Sequence, residues 1–138
     1  MRLALLALFL TCLTTTLPAY AEDARRAGII DVIGAQLDAF RRDDARAAFS
    51  HASPTIQAMF GTPENFLRMV EQSYRPVYRP KAVTFLDLTE RDGRLAQRVL
   101  FTGPDGRQVT ALYMMVRQPG GRWRIDGCVL VRPLGGSA

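Results

Sequence analysis

Three short turn signals divide the C-terminal part of this chain into segments too closely spaced for anything but neighbouring antiparallel strands. Arg91-Asp92-Gly93-Arg94, Pro104-Asp105-Gly106 and Pro119-Gly120-Gly121 separate Val83–Thr89, Leu95–Thr102, Val109–Arg117 and Trp123–Arg132. Each turn has a mechanism: glycine reaches positive φ freely, proline presets φ, and aspartate bonds nearby backbone N–H groups. A parallel crossover needs a dozen or more residues, so these links enforce a four-stranded meander.

The chain before Tyr74 has a helical period instead. Ile29, Ile30, Ile33, Leu37 and Phe40 form one stripe at about 100° per residue. Asp31 and Asp38 project together on the opposite, solvated face, and Gln36 sits at the stripe's edge, where it alone among mid-helix polar groups can look inward. Asp43-Asp44 caps a short helix from Ala45 to about His51, and Ser53-Pro54 ends it or opens another turn. Gly61 closes Thr55–Phe60, and Thr62-Pro63-Glu64 starts a helix with Phe66, Leu67, Met69, Val70 and Tyr74 on one face. Arg75–Pro80, with prolines at Pro76 and Pro80, reads as a non-helical link. Three helices followed by a meander predict an α+β domain over residues 22–134, its helices packed on one sheet face.

The N-terminus reads as a leader. Arg2 precedes an apolar run from Leu3 to Leu13, and Ala19-Tyr20-Ala21 offers a small-x-small cleavage pattern before Glu22. The run falls short of the roughly 20 residues a membrane span needs. Residues 1–21 are therefore expected to be a cleaved signal peptide, and the mature chain to be exported, periplasmic in a Gram-negative cell, with no membrane span. Residues 135–138 are expected to form a loose tail.

Charge and cysteine content narrow the function classes. The formal charge of +5 falls to +4 once Arg2 is lost, and the arginines spread from Arg25 to Arg132, usually near an acidic residue. A nucleic-acid binder clusters its charge, so nucleic acid is not an expected partner. Cys128 is the only mature thiol, which excludes an intrachain disulfide, and His51 is the only imidazole, which excludes a usual zinc site. No metal or cofactor is expected.

Ala52-Ser53-Pro54, Met59-Phe60-Gly61-Thr62-Pro63-Glu64-Asn65-Phe66 and Tyr74–Pro80 resemble a proteobacterial domain-of-unknown-function family, number 4864. The helical half, the antiparallel half and the closing Gly120-Gly121-Arg122-Trp123-Arg124-Ile125-Asp126-Gly127 resemble the broader nuclear transport factor 2-like superfamily. The narrow resemblance brings no activity with it. The broad one implies a cone in which helices and a curved four-stranded antiparallel sheet enclose an apolar cavity, used elsewhere as an enzyme site or a plain binding pocket. It also allows a homodimer built on the outer sheet face.

Each candidate site residue has two readings. His51 suits a general base at neutral pH, or a helix end bonding a backbone carbonyl. Asp87 would share an inner face with Val83 and Phe85 and abstract a proton there, but Thr84, Leu86 and Leu88 make the other face equally eligible, leaving Asp87 solvated. Tyr74 and Tyr113 are buried phenols that need a partner, either a cavity ligand or the core itself. Gln36 and Gln97 carry the same ambiguity. Tyr78 and Arg79, with Arg75 and Lys81, rim a pocket for an anion or simply line a wet connector. Asp126 alternates away from Trp123 and Ile125, which assigns it and Cys128 to the outer face with Arg124. The sequence supports a non-catalytic module that binds a small organic ligand or a protein partner. Its rival is a cofactor-free lyase or isomerase using Asp87 or His51 with a tyrosine.

Overall fold

A computed structural model describes residues 17–131. The expected leader core Leu3–Leu13 and the tail 135–138 lie outside the described residues. Among the described residues, five helices precede the sheet: α1 (Leu17–Arg41), α2 (Ala45–Ser50), α3 (Pro54–Phe60), α4 (Pro63–Ser73) and α5 (Arg75–Tyr78). Four strands follow: β1 (Ala82–Arg91), β2 (Arg94–Thr102), β3 (Gln108–Arg117) and β4 (Trp123–Val131). The sheet is antiparallel in the order β1-β2-β3-β4, so the domain is α+β with helices on one side of a meander.

Helix starts follow local chemistry. The side chains of Asp44, Ser53 and Thr62 each accept a hydrogen bond from a backbone N–H of the first turn, at Ala47, Ile56 and Asn65. Such caps satisfy donors that have no partner inside the helix, at about 1 kcal/mol each. The Ser53-Pro54 signal thus opens a full helix. Helix α5 corrects the expectation of a non-helical link over Arg75–Pro80. Pro76 falls in the first turn, where its missing N–H costs nothing, and the helix ends before Pro80. Helix α1 also extends well before Ile29, through residues that are mostly exposed.

Two irregularities reset the strands. Phe85 pairs with Val99 and Leu88 with Gln97, so Leu86-Asp87 faces Arg98 alone across a bulge in β1. Met115 pairs with Ile125 and Met114 with Gly127, which makes Asp126 the extra residue of a bulge in β4. After that bulge the alternation inverts: Cys128 and Leu130 pack toward the core, while Val129 and Val131 are 46% and 39% exposed. The assignment of Cys128 to the outer face is therefore corrected. Period-two counting from Trp123 fails because one residue was added to one strand only.

The inner sheet face, with Val99, Phe101, Ala111, Tyr113, Met115 and Ile125, meets Ile29, Ile33, Leu37 and Phe40 of α1 in one core. Phe66 of α4 ties the helices together, its ring 6.1, 5.5 and 5.6 Å from those of Phe40, Phe49 and Phe60. The free edge of β4 is covered at Ile125, whose N–H donates to His51 O (2.9 Å) and whose carbonyl accepts from Ser53 N (2.8 Å). Ser53 Oγ donates to Asp126 Oδ1 at 2.6 Å, and Arg94 pairs with the other oxygen of that carboxylate. The second bulge is thus fastened to the start of α3.

Candidate functional site

Helices α1, α3, α4 and α5 stand off from β3 and β4 far enough to leave a pocket of about 210 Å³. Gln36, Phe40, Val77 and Tyr113 form buried parts of its wall; Ile56, Met59, Phe60 and Met69 are more exposed parts, with Met59 68% exposed. None of its lining residues is Asp, Glu, Lys, Arg or His. The polar groups present are one amide, two phenols and a thiol.

Those groups sit close to one another for a topological reason. Tyr113 pairs with Cys128 across β3 and β4, so both side chains rise from the same face, and Tyr74 reaches in from the end of α4. Tyr74 Oη donates to Cys128 O at 3.0 Å. Gln36 Nε2 donates to Ala48 O at 3.1 Å, tying α1 to α2. Tyr113 is 1% exposed, and among the described residues its Oη has no nitrogen or oxygen partner, only the Cys128 sulfur beside it. Burial pushes the Tyr113 phenol well above its ordinary range, with the Cys128 thiol beside it adding to the shift. Burial likewise raises Tyr74 and pushes the Cys128 thiol up to about 12. All three stay protonated and neutral at physiological pH.

The remaining sequence candidates lie outside this pocket. Asp87 sits on the β1 bulge at the outer face, paired with Arg98; its backbone hydrogen bond and that arginine lower its pKa. An exposed, paired carboxylate of depressed pKa has no means of acting as a base inside the pocket. Gln97, 0% exposed, directs its Nε2 to the carbonyls of Leu86 (2.9 Å), Asp87 (3.3 Å) and Arg98 (2.8 Å). It therefore satisfies acceptors that the bulge leaves unpaired, helped by Arg26, which donates to Leu86 O at 2.8 Å. Its Oε1 has no partner among the described residues. His51 ends α2, where burial first, then Arg124 and Arg122, lower its pKa and favour the neutral ring.

Tyr78 and Arg79 join a polar corner. Tyr78 Oη donates to Asp43 Oδ1, and Arg79 Nη2 lies 3.0 Å from both oxygens of the same carboxylate. Arg79 also donates to Phe40 O at 2.5 Å and lies over the Tyr78 ring, 3.9 Å from its centroid. Asp43 has φ 52°, a left-handed conformation that aspartate tolerates, and it closes the α1–α2 turn. This is the carboxylate–phenol contact that a lyase would need, but it lies at the surface and not in the pocket.

The sequence reading missed Cys128 as a pocket residue, and with it the polar row Gln97–Tyr113–Cys128 across β2, β3 and β4. Asp126-Gly127 in the middle of an otherwise alternating strand was the available signal, since glycine inside a strand often marks a bulge. Among the described residues no three His, Cys, Asp or Glu side chains converge as metal ligands, and no helix is long and apolar enough to cross a membrane.

Fold and site together define an α+β domain with an open, uncharged pocket between its helices and its sheet. The chain belongs to the family described as Domain of unknown function (DUF4864), which matches residues 22–138. No curated protein and no solved structure matches it.

Proposed function

We propose that this protein is an exported, non-catalytic module that holds a small organic ligand in the pocket between its helices and β3–β4. The observation that carries this reading is an apolar chamber of about 210 Å³ whose wall holds neutral polar groups but no charged side chain. Sites that hold small molecules combine a mainly hydrophobic wall with a few placed polar groups. A cavity of ~150 Å³ accommodates benzene, so this one suits a ligand of about eight to ten non-hydrogen atoms. The lyase or isomerase alternative loses support because Asp87 and His51, its candidate bases, do not line the pocket. Placement in the nuclear transport factor 2-like superfamily is part of the same proposal; helices set over the inner face of a bulged antiparallel sheet support it. Export is supported by the leader pattern and by the family match starting at Glu22.

Native mass spectrometry of the protein from its own host tests the ligand reading: a stoichiometric extra mass of one small organic molecule is the expected result. A bare polypeptide mass that stays unchanged on incubation with host metabolite extract would sink it. N-terminal sequencing of the same material should begin at Glu22, and a start at Met1 contradicts export.

A second reading has its own observation. Val129 and Val131 are exposed on the outer sheet face, so a homodimer formed there would cover them. Sedimentation at micromolar concentration decides it, a monomer ruling it out.

A further inference from the structure

One side-chain amide in the pocket wall has a structural task for its nitrogen and none for its oxygen. Gln36 lies in the apolar stripe of α1 between Ile33 and Phe40 and is 3% exposed. Its Nε2 donates to Ala48 O at 3.1 Å, which turns the nitrogen toward α2 and the oxygen away from that bond. Ala48 O also accepts from His51 N at 3.3 Å, so the carbonyl does not depend on the glutamine. Gln36 Oε1 accepts no hydrogen bond from the described residues, and it is not sealed inside the protein as Tyr113 Oη and Gln97 Oε1 are. The opening that Gln36 lines is the pocket. An amide oxygen has two lone pairs, and buried polar atoms rarely leave theirs unused. A leucine would fill the same stripe without an idle acceptor. The other polar groups of the wall are already committed: Tyr74 Oη bonds Cys128 O, and Tyr113 Oη is enclosed beside the Cys128 sulfur. The unmet need in the wall is therefore a donor.

Charge limits the occupant from the other side. With no Asp, Glu, Lys, Arg or His in the lining, a charged donor such as an ammonium group would lose its hydration and gain no counter-ion. A neutral hydroxyl or N–H carries no such penalty.

Resting on the reading of this chamber as a ligand site, we infer that its occupant is an uncharged molecule with a hydroxyl or N–H group that donates to Gln36 Oε1, while its hydrocarbon part lies against Phe40, Phe60, Phe66 and Met69. Neutral alcohols, phenols and N–H heterocycles fit this description. Alkylamines and carboxylates, ionised at neutral pH, do not.

Three probes of similar size test this with the full chain. Indole has an N–H donor, indene has the same shape without one, and benzylammonium is a charged donor. Calorimetry at neutral pH is expected to show binding of both neutral probes and none of benzylammonium. The Gln36→Met substitution is expected to weaken indole by about three- to tenfold and to leave indene within about twofold, the loss of one hydrogen bond. Indole labelled with nitrogen-15 supplies a check that needs no variant. Its N–H proton is expected to show its strongest nuclear Overhauser contacts to the Gln36 side chain. Strongest contacts to the Met59 or Met69 methyl group instead overturn the inference. So does an equal loss of both neutral probes in Gln36→Met, or benzylammonium binding more tightly than indole. Those outcomes leave the chamber standing as a ligand site. Failure of all three probes to bind overturns the inference and counts against the site itself.

Discussion

The pocket wall and the Asp43 corner both present tyrosine hydroxyls, and they treat them in opposite ways. At the corner, Tyr78 is half-buried and bonded, its carboxylate partner is shared with Arg79, and the guanidinium also lies over its ring. In the wall, Tyr113 is buried and its hydroxyl has only the Cys128 sulfur, a weak acceptor, beside it. The corner is a fastening: its bonds hold the α1–α2 turn to α5, and its energetic worth is reduced by solvent. The wall gives up stability at one atom, whose weak bond to sulfur returns little of the cost of burial. Polar residues that stabilise a fold are found bonded; a buried polar residue found unbonded needs another explanation.

The comparison can be pressed hardest by removing what holds the pocket open. Phe66 contacts three other rings, so Phe66→Ala is expected to cost about 3–5 kcal/mol in urea unfolding. A loss below about 1 kcal/mol would mean that the helical layer over the pocket does not depend on this cluster.

Alkali should act on the wall. The folded-state pKa of Cys128 is raised, so its neutral form contributes fully below the unfolded value near 9.0 and that contribution is lost as pH rises toward about 12. Stability is thus expected to fall above about pH 9, and to fall less steeply in Cys128→Ala. The same shift leaves the thiol almost wholly protonated at neutral pH. Iodoacetamide should label it slowly in the native protein and rapidly in urea; equal rates would place the thiol in solvent.

Exchanging each tyrosine for phenylalanine separates the two regions more finely. Without ligand, Tyr113→Phe is expected to be neutral or stabilising by up to about 1 kcal/mol, because it removes an unsatisfied hydroxyl. Tyr78→Phe should be slightly destabilising, since it removes a bond that is made. Opposite signs in one thermal-unfolding series sharpen the contrast, and equal losses break it.

Acid should act on the corner, and weakly. Hydrogen bonds from Tyr78 and then Arg79 lower the pKa of Asp43, so its contribution is present above the ordinary value of 3.8 and is lost as pH falls through the lower folded value. The small stability gap between wild type and Asp43→Asn should therefore close below about pH 4, and should shrink in high salt. A gap that persists at pH 2 would argue against an ionic origin.

Much of this fold could be read from local chemistry. Thr62-Pro63 and Gly61 mark their helix boundaries, and Asp92-Gly93 makes a two-residue hairpin turn with both residues at positive φ. These signals act over a few residues and survive any tertiary context. Tyr74, Tyr113 and Gln36 could be flagged as inward-facing because they lie on or beside apolar stripes. Cys128 and Asp87 could not be placed, because each depends on a bulge, and a bulge is a property of two strands together. The same holds for Gln97, whose role is set by carbonyls that the bulge in β1 frees. The Asp43–Arg79 contact spans 36 positions, and nothing local announces it.

The bulge at Asp126 adds a residue to β4 that the lining of the pocket does not use. Deleting Asp126 would leave Ile125 and Gly127 paired with Met115 and Met114 in regular alternation, so Cys128 and Leu130 would stay inward and Val129 and Val131 outward. What would be lost is the carboxylate that Ser53 and Arg94 share, and with it the tie between β4 and the start of α3. A relative one residue shorter at this position would keep the same wall and differ in how firmly α3 is moored to the sheet edge.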